Sequence, residues 1–251
     1  MKPDLNLHYI LITGAGRGLG RHLAEHLAAC GAIVGVADID TATCTATVAD
    51  LISKGYQAHA YVGDLADQAT FQRVADEFAS LGGRIDAIIN NAMILHYCPV
   101  ELVEDARLTA MLAIGIKAPF WSAQALLKHY DNSRGASLIN MSSPVAHRGY
   151  PNTSAYSAVK GAITALTKVL GAELGPKGIR VNAVSPASVP TPGALGLNTK
   201  EVYEQRKASI PLRRLGTEAD NSNAIAFLLS KEASFVNGEI FNVDGGVAGS
   251  A

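Results

Sequence analysis

A run of apolar residues at 7–13 passes into Thr13-Gly14-Ala15-Gly16-Arg17-Gly18-Leu19-Gly20, and Leu19, Leu23 and Leu27 then recur at helical spacing until Gly31. A buried strand that runs through glycines straight into a helix leaves a chain few folds to choose from. The glycines let backbone approach a pyrophosphate, and the helix N-terminus offers N–H donors at a positive dipole end. The spacing is Gly-x-x-x-Gly-x-Gly after a threonine, not the commoner Gly-x-Gly-x-x-Gly. Further strands are expected at 32–37, 56–62, 85–89, 136–141, 179–184 and 238–243. Helices fall between them, at 41–54, from about 67, over most of 99–130, on to about 174, and at 218–230. A break is expected in the long helical stretch near Gly115 and Pro119. Strand and helix in alternation argue an α/β fold, a single domain over 1–251 built on one doubly wound parallel sheet. Residues 185–211, with Pro186, Pro190, Pro192 and Pro211, read as one long irregular stretch, and a substrate lid is expected over about 187–211.

The composition narrows the function. The chain has 251 residues, 48% of them hydrophobic, enough for a substantial core. Its net charge is −1 and its pI near 6.6, so no basic field exists to hold nucleic acid or an anionic membrane. Residues 1–4 lack the start of a secretory signal, and no window is expected to reach the ~18 apolar residues of a membrane helix. Cys30, Cys44 and Cys98 fit no zinc or disulfide spacing and read as thiols in a reducing, cytoplasmic setting. No metal site is evident.

Two features carry chemistry. The second strand ends at Asp38, where an acid can accept hydrogen bonds from ribose hydroxyls and repel a 2′-phosphate. That points to NAD over NADP, although Arg17 in the glycine turn argues the other way. Asp40 reads as merely solvated. Asp64, at the tip of the third strand, is placed either at an adenine or at the cap of the following helix. In the helix that contains Ala155, Val159, Ile163, Leu166 and Leu170, Tyr156 and Lys160 stand four residues apart on one face. A cation beside a phenol is expected to lower its pKa and make the pair a proton-transfer device. Ser142-Ser143 stand at the end of the fifth strand, thirteen residues before the tyrosine.

These landmarks, with Gly63-Asp64-Leu65, Asn90-Asn91-Ala92 and Asn242-Val243-Asp244-Gly245-Gly246, resemble the short-chain dehydrogenase/reductase family from Thr13 to Gly246. The resemblance implies a Rossmann-type fold of about seven parallel strands, a nicotinamide cofactor, hydride transfer between an alcohol and a carbonyl, and a homotetramer or dimer. It implies that Tyr156 is the general acid/base, that Lys160 lowers its pKa and holds the nicotinamide ribose, and that Ser143 binds the substrate oxygen. For the cofactor it implies Gly14, Gly16, Arg17, Gly18, Leu19, Gly20, Asp38, Ile39, Asp64, Leu65, Asn91, Ala92, Pro186, Val189 and Thr191, with Asn90 alongside. The substrate pocket is expected at Met93, Leu95, His96, Pro144, Val145, His147 and Tyr150, and Lys128, Arg213 or Arg214 could attract an anion. Met93 replaces the family's usual glycine, where it is expected to narrow the pocket. Gly115 replaces an asparagine that supports a proton relay, and water is expected to fill the space. The activity implied is NAD-dependent oxidation of a secondary alcohol or polyol. Two alternatives stand beside it: an NADPH-dependent 3-oxoacyl-carrier-protein reductase, and a cofactor-binding regulator that has lost activity.

Overall fold

In the computed structural model residues 3–191 and 199–250 are described. At its centre lies β1 (Tyr9–Thr13), whose Ile10, Leu11 and Ile12 are fully buried. A strand buried on both faces needs helices above and below it, and parallel pairing follows from the crossovers that supply them. On one side β1 pairs with β2 (Ile33–Asp38), which pairs with β3 (Ala58–Val62). On the other it pairs with β4 (Ala87–Asn90), followed by β5 (Ala136–Met141), β6 (Ile179–Pro186) and β7 (Ile240–Val243). The seven strands are parallel, in the order β3-β2-β1-β4-β5-β6-β7. The order reverses between β1 and β4, so the crevice where a doubly wound sheet binds ligands opens beyond Thr13 and Asn90.

The alternation within β1 divides the core. Ile10 and Ile12 pack with Leu23 and Leu27 of α1 (Gly18–Ala28) and Ile225 of α8 (Glu218–Leu229). Leu11 faces the opposite layer, with Phe71 and Phe78 of α3 (Gln68–Ser80) and Leu170 of α6 (Ser154–Leu174). Helix α2 (Thr41–Ser53) is capped by Asp40, whose carboxylate accepts from the Thr43 N–H at 3.0 Å. Asp40 thus holds a helix end, where solvation alone was expected. Asp67 caps α3 through the Thr70 N–H at 2.8 Å, so the cap belongs to Asp67 and not to Asp64.

The expected break falls between α4 (Asp105–Leu112) and α5 (Ala118–His129), where Ala113–Lys117 forms a π-helical turn. Pro119 has no N–H to give the Gly115 carbonyl, so the regular ladder fails there, and the Ala118 N–H bonds Ala113 O instead. By length and composition the continuous stretch Asp105–His129 would pass for a membrane span, contrary to the sequence expectation. Its α5 part instead packs against α3, β4 and β5. The presumed irregular stretch also needs correction. Within it α7 spans Lys200–Ser209, capped by the Thr199 hydroxyl; residues 192–198 of the expected lid lie outside those described.

Candidate active site

The glycine turn is held at the tip of β1 by its neighbours. The Thr13 hydroxyl donates to Ile89 O at 3.3 Å and accepts from the N–H groups of Asn91 and Ala92, each at 3.0 Å. Asn91 donates its side-chain amide to Thr13 O and Gly14 O at 3.0 and 2.9 Å. Side chains are shut out. A Cβ on Gly14, whose φ is +63°, would stand 2.7 Å from Ala92 Cα, and one on Gly20 would stand 2.2 Å from Gly14 O. Gly18 lies beside Thr191, which brings the end of the 187–191 segment over the turn. Arg17, at the N-cap of α1, makes no side-chain cap, and no acid stands in the first turn. The N–H groups there are therefore open to an anion.

Asp38 leaves β2 directly beside this turn. Its Oδ2 accepts from Gly16 N at 2.8 Å and its Oδ1 from Asp40 N at 3.0 Å. The backbone aims the carboxylate across the crevice mouth. Arg17 is exposed; the Thr43 N–H holds the Asp40 carboxyl below the usual range, and the Arg17 charge adds a little to this. Ile39 is exposed, Leu65 packs in the core, and Asp64 is exposed with its carboxylate accepting from Ala66 N at 3.0 Å.

Across the crevice, β5 delivers Ser143 at the start of a short turn, Pro144–Ala146. Its hydroxyl lies near the Tyr156 phenol and favours the phenolate. Burial acts more strongly, and the Tyr156 pKa lies well above the ordinary tyrosine value. This reverses the sequence expectation. Lys160 is 5% exposed and turns its Nζ to Met141 O at 2.6 Å, leaving it 5.4 Å from the centre of the tyrosine ring. Burial pushes the Lys160 pKa down to about 8. The three residues meet, and burial keeps the phenol protonated.

A pH test follows from Lys160. Unfolding returns its pKa to about 10.5, so above roughly pH 8 the unfolded chain holds more protons than the folded one. Stability contributed by this group rises from there until both states have lost the proton. Above about pH 10 Tyr156 opposes it, since the unfolded phenol ionises first. The urea midpoint of the wild type should therefore gain on that of Lys160→Met between about pH 7.5 and 9.5. A constant difference between the two would mean that the lysine is not depressed.

Other expected residues scatter. Leu95, His96 and Val145 are half-buried, whereas His147 and Tyr150 are exposed. The Met93 sulfur lies 3.1 Å from where a Gly115 Cβ would be, and Val159 Cγ1 only 2.4 Å from it. These side chains take up only part of the space beside Gly115. A void of about 10 Å³, room for the one water expected there, remains between Gly115, Lys160, Asn90 and Thr13. Lys128 pairs with Asp76 at 2.7 Å, Arg214 with Asp220 at 2.7 Å, and Arg213 donates to Ala208 O. Sequence reasoning missed Tyr97, whose ring meets that of Tyr156 edge-on with centroids 5.5 Å apart. Nothing in its local sequence distinguishes it.

A family profile described as Enoyl-(Acyl carrier protein) reductase matches residues 14–248. The chain is 32% identical over 252 residues to 2-(S)-hydroxypropyl-CoM dehydrogenase 3 of Xanthobacter autotrophicus, covering 98% of this chain and 99% of that protein. It is 33% identical over 241 residues to galactitol 2-dehydrogenase of Rhizobium johnstonii, covering 94% and 93%. The 3-ketoacyl-(acyl-carrier-protein) reductase of Brucella melitensis, solved with NADH, superposes with a TM-score of 0.90 at 31% identity, covering 97% of this chain and 99% of that one.

Proposed function

The chain belongs to the short-chain dehydrogenase/reductase family of oxidoreductases, and on that footing we propose that it is an NAD-dependent enzyme interconverting a secondary alcohol or polyol and its ketone. The observation that carries this reading is the Tyr156 phenol, flanked by the Ser143 hydroxyl and backed by the buried ammonium of Lys160 at the crevice of a doubly wound sheet. A bound nicotinamide supplies the hydride chemistry. The residues of the chain manage the oxygen. In ketone reduction Ser143 holds the carbonyl oxygen and Tyr156 gives it a proton as the alkoxide develops. In alcohol oxidation the same phenol oxygen takes the proton away. The glycine turn and the open N-terminus of α1 fit a pyrophosphate, since side chains at Gly14 and Gly20 would collide with backbone.

Asp38 supports NAD. Its carboxylate is fixed by two backbone N–H groups, so it cannot turn away from a 2′-phosphate without breaking them. The expected result of a fluorescence titration is at least ~10-fold tighter binding of NADH than NADPH, roughly 1.4 kcal/mol. A preference for NADPH would shift the reading to a carrier-protein-type ketoreductase, with Arg17 meeting the phosphate. We also propose a homotetramer in the cytoplasm. Exposed Phe120 on α5 and Val169 on α6 give it apolar surface to bury, and no disulfide joins the cysteines among the described residues.

A further inference from the structure

Helix α7 carries Tyr203 and Arg206, three residues apart, on the side that faces the pocket. Tyr203 is 9% exposed. Arg206 is half-buried, and its Nη1 donates to Ser188 Oγ at 3.2 Å, which ties α7 to the segment following β6. Tyr97, whose ring abuts that of Tyr156, completes the cluster. Burial raises the Tyr97 pKa, and the charge on Arg206 acts against it.

Arg206 lacks the carboxylate partner that two nearby cations have. Lys207 pairs with Glu204 and Arg214 with Asp220. Among the described residues no carboxylate pairs with Arg206, and residues 192–198 contain no acid in their sequence. A half-buried guanidinium whose partner is a neutral hydroxyl is under-compensated. Through Ser188 it is held at the carboxyl end of β6, the strand that pairs with β5, whose own end carries Ser143. An anion entering the pocket alongside Tyr156 would meet it.

We infer that the substrate carries a carboxylate, and that Arg206 binds it while Tyr156 and Ser143 hold the reacting oxygen. A single guanidinium presents one charge and a planar fork, which matches a carboxylate better than a phosphate dianion. Ser188, which accepts from Arg206, keeps its own proton to donate, and the Tyr97 phenol is a second donor. The substrate class is thus a hydroxy acid and its oxo acid. This assignment rests on the redox reading above, but its test does not need turnover.

The test is binding by calorimetry to the NADH-loaded protein. The probes are levulinate and longer methyl-ketone acids, each set against the ketone that ends in a methyl group instead. In the wild type the best acid should bind at least tenfold tighter than its neutral match. Arg206→Gln should lose most of that ratio, Arg206→Lys part of it, and Lys207→Gln none. Equal binding of acid and neutral ketone by the wild type, or a ratio untouched in Arg206→Gln, overturns the assignment. Acid binding through Arg206 without reduction by NADH or NADPH would sink the redox reading and leave this one standing. Reduction of ketones with no preference for acids would do the reverse.

Discussion

Replacing Tyr156 by phenylalanine is expected to lower kcat by about 10²–10⁴-fold, the range a positioned proton donor supplies. The ring remains, so its edge-on contact with Tyr97 and the packing of α6 should survive. Only the hydroxyl that Ser143 engages is lost. Each tenfold fall corresponds to about 1.4 kcal/mol of transition-state stabilisation, and NADH affinity should change by much less than kcat. The measurement is steady-state kinetics at saturating cofactor on the best ketone found. A variant within tenfold of the wild type would remove Tyr156 from the proton transfer. A variant that also fails to bind NADH would point to a disturbed pocket, which Ser143→Ala, expected to lose rate while keeping NADH, would then check.

The second large effect concerns stability. Gly115→Asn puts a Cβ 2.4 Å from Val159 Cγ1 and 3.1 Å from Met93 Sδ, inside a buried π-helical turn. Neither neighbour is free to leave: Val159 is fully buried on α6 and branched at Cβ. Overpacking of this kind costs about 1–3 kcal/mol, or a fall in Tm on the order of 5 °C at this chain length. Adding Val159→Ala and Met93→Gly should restore part of the loss, because those two side chains hold the contested space. An unchanged Tm for Gly115→Asn would mean that the space is open after all. Met93 and Gly115 therefore read as one paired substitution, in which a side chain has moved from the long helical stretch to the loop that follows β4.

Much of this was legible in the sequence because the relevant signals are local. Apolar runs between glycines gave the strands, and helical spacing of Leu23 and Leu27 gave α1. Tyr156 and Lys160 drew notice by their spacing on α6, whereas Ser143 was singled out from Ser142 only by the family resemblance. The errors have local causes too. Helix α7 was read as loop because it lies in a proline-rich stretch and buries only Tyr203. Asp40 was dismissed although an aspartate three residues before a free N–H is a cap signal. The phenol's pKa was misjudged because helical adjacency says nothing of where a lysine's four-carbon stem turns, and here it reaches Met141 O. Tyr97 and Arg206 were invisible for another reason. They lie more than a hundred residues apart, and only the fold makes them neighbours.

The strand order also has a consequence in time. A ribosome completes β3-β2-β1-β4 once it has made residue 90, but the strand that covers the far edge of β4 begins only at Ala136. At about 5–20 residues per second, translation of the intervening stretch takes roughly 2–9 s. Through that interval β4, with Ile88 and Ile89 at its centre, ends a half-sheet with unpaired N–H and C=O groups on its open side. Each nascent chain must outlast this exposed edge before β5 docks. Yield in a producing cell should therefore depend on how fast residues 91–135 are translated, and on how crowded neighbouring nascent chains are, more than on the finished protein's stability.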